Sequence, residues 1–199
     1  MELYHLIIII HQCPGIFNVK NIMREPKLFI FPAPLREALI HAIISKKERR
    51  GKAMEIITAF NRIEDCLEVR KRVFVCEQGI DISLEIDEKD EAGSGCEHFL
   101  LIEDGIPIGT FRAYYEDPET VHLQRFCILS EYRGRGFGRE ALRFTEGYYT
   151  AKGLKKLTFG AQITAIPFYE RCGYTCVSDF FDDAGIPHRT MEKALSPAL

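Results

Sequence analysis

The chain has 199 residues, 46% of them hydrophobic and 28% charged, and carries a net charge of −3. This is the composition of a soluble globular protein long enough for one domain and an appendage, and its slight acidity argues against nucleic acid as the main partner. Seven cysteines form an odd count, with no Cys-x-x-Cys and no Cys/His cluster at zinc spacing, which fits reduced thiols in a cytoplasmic protein and points to no metal.

Leu3 to Ile10 is apolar but far too short to span a bilayer. No basic segment precedes it and no small-residue cleavage site follows, so neither a secretory signal nor a membrane partner is expected. Beyond it come Cys13-Pro14-Gly15, Pro26 and Pro32-Ala33-Pro34, then a basic run from Lys46 to Lys52. Leu35, Leu39, Ala42 and Ile43 share one face of a short helix. Glu48-Arg49-Arg50 can be encoded as GAA-AGG-AGG, which contains a bacterial ribosome-binding sequence just upstream of the Met54 codon. Residues 1–53 are therefore expected to be a leader translated from a misplaced start codon or a genuine N-terminal extension. Residues 54–199 are expected to form the functional domain.

Glu55 to Phe60 reads as a first strand. Ile63 to Gln78 reads as a helix, with Leu67, Arg70, Val73 and Phe74 along it and Gly79 as its stop. Ile82 to Asp90 is strongly acidic, and most of its charges read as a solvated loop. A meander follows: strands over 98–103, 108–115 and 121–129, with Asp104-Gly105 and Asp117-Pro118 at the turns. His98 reads as a structural polar residue at a strand start.

Next comes Arg133-Gly134-Arg135-Gly136-Phe137-Gly138, after a strand and before a helix marked by Ala141, Leu142, Phe144, Thr145 and Tyr148. Glycines there allow positive φ and close approach to bare N–H groups, while the helix N-terminus and Arg133, Arg135 and Arg139 add positive charge. A pyrophosphate or similar anion suits such a place. No Gly-Lys-Ser/Thr follows, which excludes the Walker loop, and Arg139 stands where a dinucleotide fingerprint needs its third glycine. On its own the loop also reads as an ordinary helix-capping turn. Gly153 then ends the helix. A strand over 156–160, a helix over 164–172, and closing strands over 175–180 and 188–192 complete the chain.

Arg133-x-x-Gly136-x-Gly138 resembles the coenzyme A pyrophosphate loop of the Gcn5-related N-acetyltransferases. Ala161 to Tyr174, with Ala165, Tyr169 and Gly173 spaced by four, is similar to that family's second signature. Arg72-Val73-Phe74-Val75-x-Glu77-Gln78-Gly79, followed by Glu85-x-Asp87-x-x-Asp90, resembles the ElaA- and YjcF-like members. The resemblance implies an α/β fold over 55–195, with a mixed, mostly antiparallel sheet flanked by about four helices.

It implies direct attack of a neutral primary amine, on a small molecule or peptide, on the thioester of acetyl-CoA as co-substrate, without a covalent enzyme intermediate. Phe126, Cys127 and Ile128 would pair with the pantetheine arm through their backbone. Arg133, Gly134, Arg135, Gly136, Phe137, Gly138 and Arg139 would hold the pyrophosphate, and Gln162, Ala165 and Phe168 would line the cofactor. Many relatives have asparagine at the place of Gln162. Tyr169 would protonate the leaving thiolate, a phenol of pKa about 10 being able to donate there. Gly185-Ile186-Pro187-His188 is similar to the last strand of glyphosate-type acetyltransferases, which implies His188 as base; an imidazole of pKa about 6.5 suits that task. Glu77, Glu85 or Asp87 would hold the amine. Cys127 and Cys172 read as small buried hydrophobes. Two other readings stay open: a non-catalytic module that binds or senses acetyl-CoA, and an acyl-homoserine-lactone synthase, although this chain has no Trp. A homodimer is the commonest assembly for such a chain.

Overall fold

The computed structural model describes residues 54–196; the readings on 1–53 lie outside the described residues. The chain runs through β1 (Glu55–Thr58), α1 (Ile63–Arg70), a π-helix (Lys71–Glu77), α2 (Ile82–Glu85) and a 3₁₀ turn (Glu88–Asp90). The meander β2 (Glu97–Glu103), β3 (Ile106–Tyr115) and β4 (Thr120–Ile128) follows. Then come α3 (Phe137–Ala151), β5 (Lys156–Gln162), α4 (Ile166–Glu170), β6 (Thr175–Cys176), β7 (Phe181–Asp183) and β8 (Ile186–Ala194). They build one mixed sheet in the order β1-β2-β3-β4-β5-β8-β6, with β7 paired to β8. Only β4 and β5 run parallel; the other pairs are antiparallel. Among the described residues no helix is long and apolar enough to cross a membrane.

The sheet is covered on both faces, so β2 is buried along nearly its whole length. Phe99 and Leu101 point into the larger core with Ala141, Leu142 and Tyr149 of α3. Leu100 and Ile102 point the other way, against Cys66 of α1. This is the two-residue alternation of a strand between two helical layers. Phe99 stacks on Phe111 at 4.6 Å and meets Tyr148 edge-on at 5.3 Å. Each such fully buried apolar side chain stabilises the fold by about 1.5–3 kcal/mol. The turn Asp104-Gly105 has φ of 50° and 81°, as does Ala184-Gly185 with 54° and 79°, the left-handed pair that closes a two-residue hairpin.

Three sequence expectations need correction. The helix over 63–78 is α-helical only to Arg70 and continues as a π-helix to Glu77, before Gly79 stops it at φ 74°. A one-residue widening per turn leaves the apolar spacing nearly intact, so periodicity could not register it. The expected strand over 175–180 pairs only at Thr175 and Cys176. Beyond that the Ser178 hydroxyl takes the Thr190 N–H at 2.8 Å, and the ladder resumes at β7. The acidic segment is not a solvated loop: Glu85 is 2% exposed, and its neighbours join a buried ion network.

The decisive feature is where β4 and β5 part. They pair only at Thr120–His122 with Lys156–Thr158, yet β4 runs on to Ile128 and β5 to Gln162. A bulge bends β4 at this point, where Phe111 of β3 faces both Arg125 and Phe126. Behind the bulge Gly109 allows close approach, since a Cβ there would lie 2.8 Å from the Cys127 carbonyl oxygen.

Candidate active site

The parted strands open a cavity of about 1040 Å³, at the upper end of small-molecule sites. Phe126, Cys127 and Ile128 line one wall, and Phe159, Gly160 and Gln162 the other. The loop before α3, Tyr169 and His188 line it as well.

The three loop glycines have different tasks. Gly134 and Gly136 sit at φ 73° and 93°, conformations that glycine adopts without a Cβ penalty. They deliver the chain to the N-terminus of the fifteen-residue helix α3, where unpaired N–H groups favour an anion. Gly138 instead seats Phe168: a Cβ there would come 3.0 Å from the ring.

The arginines also divide. Arg133 Nε donates to the Ile128 carbonyl at 2.8 Å, and its fork grips the Glu77 carboxylate. It therefore ties the loop to the π-helix. Arg135, expected at the anion, turns away: it pairs with Glu103 and lies over the rings of Tyr132 and Phe137. Arg139 lines the cavity, as does Arg171, which sequence reasoning missed. Gln162 also lines it, and its amide donates to Gln78 Oε1 across the cleft at 2.9 Å. Ala165 and Phe168 line it too.

Tyr169 is 8% exposed, packed between Phe159 at 4.5 Å and Phe168 at 5.0 Å. Burial pushes its phenol above its ordinary value, with the Cys127 and Cys172 thiols adding to the shift. It stays protonated at any working pH, a donor rather than a base. Burial also pushes the Cys127 thiol far up, so this thiol is no nucleophile. His188 lines the same cavity on β8, stacked against Phe181 at 5.9 Å. Its Nδ1 lies 2.8 Å from the Ile186 carbonyl oxygen. A carbonyl only accepts, so Nδ1 carries the hydrogen, and Nε2 is the nitrogen left to exchange a proton in the cleft.

A second imidazole was not foreseen. His122 lines the cavity at the point where β4 and β5 separate. Its Nδ1 donates to Thr158 Oγ1 at 3.0 Å, and Thr158 in turn donates to Glu116 at 3.0 Å. Burial lowers its pKa and keeps it neutral, against the pull of Glu116.

The acidic residues expected to hold an amine are each paired with an arginine, although Glu85 also lines the cavity. Glu77 is gripped by Arg133. The Glu85 carboxylate takes Arg70 Nε, and Asp87 takes both arms of Arg112 at 2.6 Å. Asp90 joins Arg70 and Arg112, and His98 donates to the Lys89 carbonyl at 3.0 Å. Burial pushes the Glu85 carboxyl up against the pull of Arg70. It pushes Asp87 up too, but the Arg112 hydrogen bond and charge prevail and bring that carboxyl down to about 2. No local pattern marks Arg70 or Arg112 as the partners of acids 15 to 25 residues away.

Comparison with known proteins agrees with this architecture. Residues 82–195 match the acetyltransferase (GNAT) domain family. A Bacillus subtilis protein provisionally named an acetyltransferase is 37% identical over 143 residues, covering 72% of this chain and 97% of that one. The uncharacterized N-acetyltransferase YjcF of the same organism is 34% identical, over 70% of this chain and 99% of that one. The crystal structure of Escherichia coli ElaA superposes with a TM-score of 0.61 at 24% identity, over 70% of this chain and 97% of that one, and shares the fold. Cleft, loop and relatives agree: the chain belongs to the Gcn5-related N-acetyltransferase family and has its acyl-CoA N-acyltransferase fold.

Proposed function

We propose that the protein transfers an acetyl group from acetyl-CoA directly to a primary amine in the cleft between β4 and β5. One observation carries this reading. The parted strands leave a cavity lined by a glycine loop that leads into a helix start, by the Tyr169 phenol and by the His188 imidazole. When bound, acetyl-CoA supplies the thioester carbon that the amine attacks and the thiolate that leaves. Gly134, Gly136 and the first N–H groups of α3 hold its pyrophosphate, with Arg139 adding charge. The bent edge of β4 at Phe126, Cys127 and Ile128 offers backbone partners to the pantetheine arm, and an N–H there stabilises charge on the thioester oxygen.

His188 Nε2 accepts the proton that the amine loses, and the Ile186 carbonyl holds the ring in that tautomer. The Tyr169 hydroxyl donates to the sulfur as the C–S bond breaks. A phenol raised by burial is a weak acid, but a thiolate formed beside it is desolvated as well. The upward shift of Cys127 in the same wall illustrates that effect. Donor and acceptor thus rise together, and the proton can move.

The test is release of free thiol from acetyl-CoA with pooled amines, comparing residues 54–199 of the wild-type sequence with Tyr169→Phe and His188→Ala. Turnover that drops in both variants supports the assignment. Turnover indifferent to both overturns these roles, and binding of coenzyme A without thiol release from any amine makes the protein a binding module.

A further inference from the structure

Two neighbouring residues of β4, Gln124 and Arg125, bring hydrogen-bond donors to the cavity wall. Arg125 stands at the β4 bulge with φ 54°, a left-handed conformation unfavourable for a residue with a long side chain. Arg70 and Arg112 are about 1% exposed, whereas the Arg125 side chain is 22% exposed and lines the cavity. Its Nε is buried and, at 3.2 Å from Glu85 Oε2, too poorly aligned for a hydrogen bond. Of five guanidinium donors only one, to the Leu84 carbonyl at 2.8 Å, is used among the described residues. Asp87 lies 3.7 Å away with its oxygens already taken by Arg112.

Gln124 lines the cavity beside it. Its Oε1 accepts from Arg112 Nε at 3.3 Å and from a second Arg112 nitrogen at 3.0 Å. Because a guanidinium only donates, the amide orientation is set, and the Gln124 NH₂ is left without a partner among the described residues. A strained arginine with unused donors and an amide turned donor-outward therefore share one patch. The two carboxylates beside Arg125, Glu85 and Asp87, are held by Arg70 and Arg112.

We infer that this patch binds a carboxylate on the acceptor, so that the substrate is an amino acid or other amino-carboxylate rather than a polyamine. This rests on the transferase reading above and names its substrate class. Arg125 is a specificity residue: its donors offer the fork geometry that a carboxylate fills, and Gln124 adds another. The bulge that aims Arg125 lies on the stretch of β4 beyond its pairing with β5, so the guanidinium stands on the wall of the same cleft.

The test is acetyl-CoA thiol release with common α-amino acids and ω-amino acids of two to six carbons, each beside the amine it leaves on decarboxylation. Wild-type kcat/KM is expected to favour at least one carboxylate-bearing member over its amine by about tenfold or more. Arg125→Gly, which suits the positive φ and leaves Glu85 with Arg70, should bring that ratio close to one while thermal unfolding confirms a folded protein. Turnover of amines with no carboxylate preference, an unchanged ratio in Arg125→Gly, or a preference for spermidine would each overturn the inference alone. An acyl-donor arm separates the other source of a carboxylate: faster turnover of succinyl-CoA than acetyl-CoA, abolished in Arg125→Gly, would move the anion to the donor and overturn it. No thiol release with any amine would remove the transferase reading together with this one.

Discussion

His188 gives its Nδ1 hydrogen to the carbonyl of Ile186, two residues earlier in the chain, at 2.8 Å. The consequence is chemical: the nitrogen left to exchange a proton is Nε2, on a ring that lines the cleft. His188→Gln is expected to lower kcat by roughly a hundred-fold to ten-thousand-fold and to flatten the acidic limb of the pH–rate profile. His122→Gln provides the comparison, since His122 lines the same cleft with its Nδ1 bonded to Thr158. Loss of the acidic limb in His122→Gln alone would transfer the base to that residue.

Tyr169 is caged by aromatic rings, so Tyr169→Phe removes one hydroxyl and keeps the packing. A drop in kcat of about a hundred-fold is expected, with KM for acetyl-CoA nearly unchanged. Poor thiol leaving groups should suffer most. Single-turnover kinetics with acyl thioesters of graded leaving-group pKa would reveal equal losses if the hydroxyl does not serve the sulfur.

The loop arginines should separate by their partners. Arg139→Ala is expected to raise KM for acetyl-CoA by about tenfold. Arg135→Ala should leave KM alone but lower stability by about 1–3 kcal/mol, because it strands the Glu103 carboxylate, which is only 8% exposed. Steady-state kinetics and thermal unfolding of both variants check this, and equal KM effects would place both guanidinium groups at the anion.

The buried ions predict an acid-sensitive fold. The Asp87 carboxyl is held at about 2, against a reference value of 3.8. A folded pKa below the unfolded one means stability present above about pH 4 and lost as pH falls toward 2, amounting to about 2 kcal/mol from this group. Glu85 shifts upward, so its contribution has the opposite sign and protonating it partly offsets that loss. Urea unfolding between pH 2 and 7 should show Asp87→Asn as more destabilising at neutral pH than Glu85→Gln. Arg112→Leu, which strands Asp87, should cost about 3–5 kcal/mol.

Legibility followed the range of the interactions. Asp104-Gly105 declared a hairpin because the left-handed pair is a local requirement. The glycine loop and Tyr169 stood in short motifs whose spacing is that of one turn and one helix. The Ile163–Ala165 turn and the π-helix over Lys71–Glu77 escaped notice because periods of 3.0, 3.6 and 4.4 residues scarcely differ over a few positions.

Although it pointed to two closing strands where the structure has three and to a loop where α2 stands, the sequence by itself determined the order of the other strands and helices, the family, and the positions of the glycine loop, Tyr169 and His188. These rest on propensity, periodicity and short-range spacing, which neighbouring residues carry between them. Only the tertiary structure decided which charges face the cleft. Guanidinium groups reach across the fold, joining Arg70 to Asp90, Arg112 to Asp87 and Arg133 to Glu77 over separations of 20, 25 and 56 residues. Those pairings turned an apparently solvated acidic loop into a buried network, tied Arg133 to Glu77 and Arg135 to Glu103, and left Arg125 lining the cavity with donors unused. The choice depends on burial and on the directions that a bulge and a positive φ impose, and both arise only when distant strands meet.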